Sequence, residues 1–368
     1  MQPIQIFSNT LGEEELEAVR KVFESKWLGI GKETEAFENE FAEKVGAKYA
    51  LATNNCTSAL FISIKTLDIG PGDEVIIPSI HFVGAANAII DAGATPVFAD
   101  VDPVYFNITA SEIDRLRTKN TRAVMLLHYG GHPCDFDAIK DACGGLYIIE
   151  DSANSIVSTY KGKNCGTLGD IGCFSFDPMK MLVTGDGGMM TFNRESLYKK
   201  AKLLRYFGIV DQSSGLEAIK SGRSDWWEFD LGCISERYVP NDITSAIGRV
   251  QLKKLDGFIA RRKEIWERYQ TAIYDKHIAL PPEPLCDTTS SYYLYWIRTS
   301  KRLEMAKRLF ENNIYTTFRY FPLHLVKQYR SGERLPIAEE ANKMALNLPL
   351  HQNLSDEDVD RIIKCLSI

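Results

Sequence analysis

"CFSFDPMKMLVTGDGGM", residues 173–189, is the stretch on which the reading of this chain turns. An apolar, strand-like run breaks at Asp177-Pro178, presents one cationic side chain, Lys180, and dissolves into glycines before "MMTF" (189–192) resumes as strand. A lysine is ordinarily a solvated surface charge. One set between two buried strands loses part of its ammonium solvation, so the expectation here is a lowered pKa and an available lone pair.

Outward from this stretch, strands and helices alternate. "TSALFISIKTL" (57–67) places Leu60, Ile64 and Leu67 on one helical face. "GPGDEVIIP" (70–78) reads as turn then strand, "FVGAANAIIDAGA" (82–94) as helix and "TPVFADV" (95–101) as strand. "AVMLLHY" (123–129) and "LYIIEDSA" (146–153) are short apolar runs of the kind buried on both faces. That rhythm predicts an α/β protein with a mixed, mostly parallel sheet and ligands at the carboxyl ends of its strands. Residues 11–25 and 33–45 read as amphipathic helices joined by the glycine-bearing "KWLGIGKET". From about residue 244 the texture changes to a long helical pattern, expected to bend near Gly257. "YYLYWIRTS", a helix in "RLEMAKRLFENN" and a last helix in "SDEDVDRIIKCL" follow. The chain is therefore expected to divide into a large domain, 1–243, and a smaller α+β domain, 244–368, carrying the long connecting helix.

An amine with a free lone pair condenses with an aldehyde. Pyridoxal phosphate (PLP) is the usual one, and it also asks for a carboxylate at its ring nitrogen, a phosphate cup and a stacking face. Asp151 directly follows the strand "LYIIE" and answers the first need. In "NNCTSAL", Thr57 and Ser58 stand at a helix N-terminus, where N–H groups and hydroxyls receive a phosphate dianion, although a plain N-cap explains them too. Ser175, five residues before Lys180, is within reach of the same phosphate. Phe82 offers a ring face, and Asn154 a donor for the cofactor's phenolic oxygen. Each signal is weak alone; their order along one βαβ chain is specific.

Bulk properties narrow the classes. The 368 residues are 45% hydrophobic and 25% charged, with a net charge of −6, which argues against a nucleic-acid surface. No apolar run approaches the ~20 residues of a membrane span, and the N-terminus lacks a signal-peptide pattern. Eight cysteines never form C-x-x-C, which fits reduced thiols in a cytoplasmic protein. His128, His132, Cys134 and Asp135 in "HYGGHPCD" superficially suggest a metal site, but a strand-to-loop structural role is the better reading. "TGDGGMM" precedes a strand rather than a helix, which disfavours a dinucleotide loop.

With these residues in hand, the chain resembles the DegT/DnrJ/EryC1/StrS family of PLP-dependent sugar aminotransferases along essentially its whole length. The motifs run from "SKWLGIGKETEAFENEFAEKVGAKYALATNN" through "GDEVIIPSIHFVGAANAI", "EDSANSI", "GDIGCFSFDPMK", "TGDGGM" and "NDITSAIGRVQL" to "YFPLHLVKQY" and "NLPLHQNLSDEDV". The resemblance implies the type I aminotransferase fold and a homodimer with shared active sites. It implies Lys180 as the Schiff-base lysine, Asp151 at the ring nitrogen, and Thr57, Ser58 and Ser175 on the phosphate. It further implies Phe82 as the stacking ring and Asn154 at the phenolic oxygen. The expected reaction moves an amino group from L-glutamate to a keto sugar, nucleotide-linked as in most of the family, at C3 or C4.

Departures bear on the substrate. Cys56 stands where the family commonly has glycine, Asp177 and Met179 replace the histidine and threonine of "FSFHPTK", and Tyr206-Phe207 occupy the middle of "RxHG". In "GCISERYVP", Arg237 falls near an asparagine slot that reaches the neighbouring subunit's phosphate. Asp177, Tyr320 and His324 are candidate substrate residues, and "SDWWEFDLG" (224–232) is an aromatic and acidic patch suited to subunit packing or substrate contact. A free keto-sugar acid such as an octulosonate is the alternative acceptor, for which Arg205, Arg237 and Arg319 are available. A sugar dehydratase or a non-catalytic regulator is disfavoured because Lys180 and Asp151 are both retained.

Overall fold

The computed structural model describes residues 2–210, 222, 227–329 and 331–366. Its centre is a seven-stranded sheet formed by β1 (Tyr49–Thr53), β2 (Glu74–Pro78), β3 (Thr95–Ala99), β4 (Thr121–Leu127), β5 (Tyr147–Asp151), β6 (Ile171–Ser175) and β7 (Gly188–Phe192). The spatial order is β1-β7-β6-β5-β4-β2-β3. Only β7 runs antiparallel to its neighbours. The mostly parallel mixed sheet is as the sequence rhythm implies.

The apolar runs work by two-residue alternation. In β4, Ala123, Met125 and Leu127 join the core on one face, while Val124 and Leu126 join the core on the other. In β5 the same alternation sends Glu150 and Asp151 to opposite faces. The fully buried Glu150 carboxylate accepts from the N–H groups of Gly166 (2.7 Å), Leu168 (2.7 Å) and Gly169 (2.6 Å), and pairs with His128 Nε2 at 2.9 Å. His128 is thus engaged by Glu150, and His132 packs edge-on against Trp296 at 5.3 Å.

Four helices frame the sheet early in the chain: α1 (Glu13–Ser25), α2 (Lys32–Val45), α3 (Cys56–Thr66) and α4 (Val83–Asp91). The long helix Asp242–Ala272 runs unbroken through Gly257. Its 31 residues span about 45 Å at 1.5 Å each. Asp242, at its first turn, caps α2 from outside, accepting from Gly31 N (2.9 Å), Thr34 N (3.0 Å) and Thr34 Oγ1 (2.7 Å). Further along, Ile265, Trp266 and Tyr269 enter a separate C-terminal core with Tyr295, Leu309, Leu346 and Ile362. One helix therefore ties two cores together. The first residues of the chain cross over as well, since Ile4 packs in that C-terminal core and bridges to Ile314.

Candidate active site

The carboxyl ends of β2, β4, β5 and β6 face one cavity of about 240 Å³, somewhat below the ~300–1,000 Å³ usual for small-molecule pockets. Thr57, Phe82, Asp151, Ser175, Asp177, Lys180 and Tyr320 line it together, with Cys56, Met179, Asp186 and Arg319. Residues spread over some 260 positions converge because each follows a parallel strand or a connection that returns to the same sheet edge.

Lys180 sits in the turn between β6 and β7, 8% exposed, with its amide donating to the Asp177 carbonyl. The turn closes at Gly185, whose φ of 94° suits glycine. Gly188 then lets β7 lie against the entrance to α3, where a Cβ would fall 2.5 Å from the Asn55 carbonyl carbon. That close approach sets Lys180 and the N-terminus of α3 around one space. Nζ of Lys180 donates to Asn154 Oδ1 at 3.3 Å and lies 4.7 Å from the centroid of the Tyr293 ring. The expected lowering of the lysine pKa is not what the surroundings produce. Burial pulls it down, but Tyr293, Tyr320 and Asp151 together outweigh that and hold it above the ordinary lysine value. Desolvation alone does not set this pKa, because the acids that share the cavity act on the same ammonium.

Asp151 ends β5, is 3% exposed, and accepts from Ala153 N at 3.0 Å through Oδ1. Its other oxygen faces His81 Nε2 at 3.5 Å. Burial holds the His81 imidazole below its usual pKa, so it is a neutral ring behind the carboxylate. At the opposite end, the Asn55 side chain caps α3 by accepting from Ser58 N at 2.8 Å. Thr57 lines the cavity, whereas Ser58 is buried and does not. Phe82, at the N-cap of α4, is 49% exposed and meets Tyr320 at 6.0 Å between ring centroids. Asp177 lines the wall while its carboxylate accepts from Met179 N at 2.9 Å.

His324 and Arg237 do not line this chain's cavity either. His324 is buried outside the cavity, its Nδ1 2.6 Å from Ser79 Oγ and its Nε2 3.7 Å from Glu339; it braces the loop after β2. Arg237 is exposed and does not line this chain's cavity, although its segment is stitched nearby by Asn54 N to Tyr238 O at 3.0 Å. Of the patch 224–232, residues 224–226 lie outside the described residues.

Sequence reasoning missed His81, Tyr293 and Asp186. His81 was within reach, because it follows β2 as Asp151 ends β5. Tyr293 gave no local signal, since it arrives from the C-terminal half.

The donor set fits PLP on an observation independent of motif. Asn154 is fully buried, its Oδ1 is taken by Lys180 and Tyr320, and its Nδ2 has no hydrogen-bond partner among the described residues. A buried amide donor left open beside a lysine calls for an acceptor that the protein does not itself supply.

The model of the DegT/DnrJ/EryC1/StrS aminotransferase family matches residues 9–367. The dTDP-4-dehydro-2,3,6-trideoxy-D-glucose 4-aminotransferase of Saccharopolyspora spinosa is 45% identical, over 97% of this chain and 94% of its own. Among solved structures, the aminotransferase TlmJ from Streptoalloteichus hindustanus superposes with a TM-score of 0.93 at 46% identity, covering 99% of this chain and 98% of that one. The PLP form of the sugar aminotransferase Spr1654 from Streptococcus pneumoniae gives 0.91 at 26% identity, covering 99% and 97%.

Proposed function

The chain belongs to the DegT/DnrJ/EryC1/StrS aminotransferase family, and from that premise we propose that it transfers an amino group from L-glutamate to a nucleotide-linked keto-deoxysugar, at C4. The likeness to a 4-aminotransferase of a dTDP-linked sugar supports the acceptor. The observation that carries the reading is the cluster of buried Lys180 and Asn154 with half-buried Tyr320, beside the cavity that Asp151 lines.

In this reading Lys180 would hold PLP, Asp151 would serve its ring nitrogen, and Thr57, Ser175 and the N-terminus of α3 would receive its phosphate. Phe82 would offer its ring face, and Asn154 Nδ2 would supply the donor for its phenolic oxygen. Ser58 contributes through the capped first turn of the helix. When bound, PLP supplies an aldehyde for the amino group and a ring that accepts the electron pair released at the substrate carbon. The protein does the rest. Asp151, with neutral His81 behind it, holds negative charge where a protonated ring nitrogen needs it. Lys180 Nζ would move the proton at the reacting carbon. The aromatic walls, Phe82 and Tyr320, keep water from that carbon.

Arg205 is spent on Glu38 (2.6 Å) and the Ala52 carbonyl (2.9 Å), and Arg237 lies outside the cavity. Arg205 is therefore unavailable to a free sugar acid, and the likeness to a 4-aminotransferase of a dTDP-linked sugar supports the nucleotide-linked acceptor. A homodimer belongs to the same reading, with Arg237 reaching the second subunit's phosphate. Ile234 (93% exposed) and Trp27 (58%) supply apolar surface for the contact. Sedimentation at the mass of a single chain would count against it. A cytoplasmic location fits eight free thiols, and among the described residues no helix is long and apolar enough to cross a membrane.

The direct test incubates PLP-loaded enzyme with L-glutamate and a dTDP-linked 4-keto-6-deoxysugar. Equimolar α-ketoglutarate and amino sugar are expected; α-ketoglutarate without amino sugar rejects the acceptor.

A further inference from the structure

A transaminase must hold an amino acid as well as a sugar, and the α-carboxylate of that amino acid needs a cation at the cavity mouth. Among the described residues, one cationic side chain besides Lys180 lines the cavity, Arg319. Its guanidinium lies over the Phe7 ring, 4.6 Å from the centroid, and Nη2 donates to Met179 Sδ at 2.9 Å. Among the described residues no carboxylate approaches it within ion-pair distance. The other arginines of the chain's centre are spent, Arg205 on Glu38 and Arg262 on the carbonyls of Tyr292, Tyr293 and Leu350.

Arg319 is also built in rather than draped over the surface. Its backbone N–H donates to Asn347 Oδ1 at 2.7 Å, and its carbonyl accepts from the Tyr129 hydroxyl. The next residue, Tyr320, feels both Lys180 and Arg319, each of which lowers its phenol pKa against the rise that burial causes. The reacting amine and the guanidinium thus flank one phenol. Stacking on Phe7 and contact with a thioether hold the fork without neutralising it, so its hydrogen-bonding edge is free for a planar anion.

We propose that Arg319 is the anchor for the α-carboxylate of the amino donor, and so fixes the donor as an amino acid. Met179, where the family commonly has threonine, is part of the same device because its sulfur steers the guanidinium. The inference rests on the proposed transamination and names the residue that selects its donor.

The test uses holoenzyme of wild type, Arg319→Gln and Arg319→Lys, following loss of the yellow band in single turnover with L-glutamate, L-glutamine, L-aspartate and L-alanine. For the best donor, Arg319→Gln should raise the half-saturating concentration about 10–150-fold, the worth of a hydrogen bond to a charged group, with the limiting rate changed less than about threefold. Arg319→Lys should recover part of the loss. A parallel arm measures inhibition by dTDP, which should be unchanged. Weaker dTDP inhibition, with or without a donor effect, would assign the guanidinium to the nucleotide phosphates and overturn the proposal. So would a donor curve equal to wild type. A wild-type band bleached by none of the four amino acids would instead reject the transamination itself.

Discussion

At the scale of single residues, the site depends on groups that alter each other's charge. Burial by itself would favour the neutral amine of Lys180, yet the acids around it hold the ammonium above its usual range. Charge balance within the cavity, rather than dryness, sets its state, and a bound cofactor that neutralises Asp151 would change that balance. The proposed role makes a sharp expectation for Lys180→Ala. Borohydride should fix no cofactor to the protein, and turnover should fall by at least ~10²–10⁴-fold, the usual share of a positioned proton carrier. Normal turnover by this variant would remove Lys180 from the chemistry. Lys180, Asp151 and Thr57 were legible in sequence because strand-end and helix-start positions are local properties. His324 packs against Ser79 and Glu339, because a motif gives proximity to the site without fixing which side of the loop a ring packs on.

At the scale of elements, backbone donors left open at helix starts explain much of the arrangement. The Asn55 side chain caps α3 within its own turn, whereas α2 is capped by Asp242 from 208 residues away in sequence at Thr34. A Cβ on Gly31 would lie 2.5 Å from Asp242 Oδ2, so glycine is what admits the carboxylate. Asp242→Ala would leave the N–H groups of Gly31 and Thr34 without their acceptor, while the Thr34 hydroxyl keeps Ser245 Oγ at 3.0 Å. A loss of about 2–4 kcal/mol is expected in urea unfolding, more than the ~1 kcal/mol of a local cap. A change below ~0.5 kcal/mol would show that water takes over these donors.

At the scale of the whole molecule, histidines buried at the seams between cores make stability depend on pH. Burial among Trp296 and Tyr105 lowers the pKa of His132 to about 4, against 6.5 for an exposed imidazole. The folded protein therefore excludes a proton that the unfolded chain binds between these values. The stabilisation is fully present above pH 6.5 and lost as pH falls toward 4, by roughly 3 kcal/mol for this ring. His351, buried at another seam against the Gln5 carbonyl, is lowered to about 4 as well and adds to the same window. His132→Phe should keep the aromatic packing and flatten the pH dependence by the first share. An unchanged slope between pH 7 and 4.5 would place the effect in other groups.

The amino-acid sequence by itself determined the alternation of strands and helices, the mostly parallel sheet, and the strand-end positions of Asp151, Ser175 and Lys180, because periodicity, turns and caps act over a few residues. Tertiary structure alone decided which distant groups complete the cavity. Tyr293, Arg319 and Tyr320 come to Lys180 only because the long helix binds the C-terminal core to the sheet edge, and Glu150 meets the turn at 166–169 only through strand register. Electrostatics followed the same division, since a pKa is set by everything within a few ångströms and not by sequence neighbours.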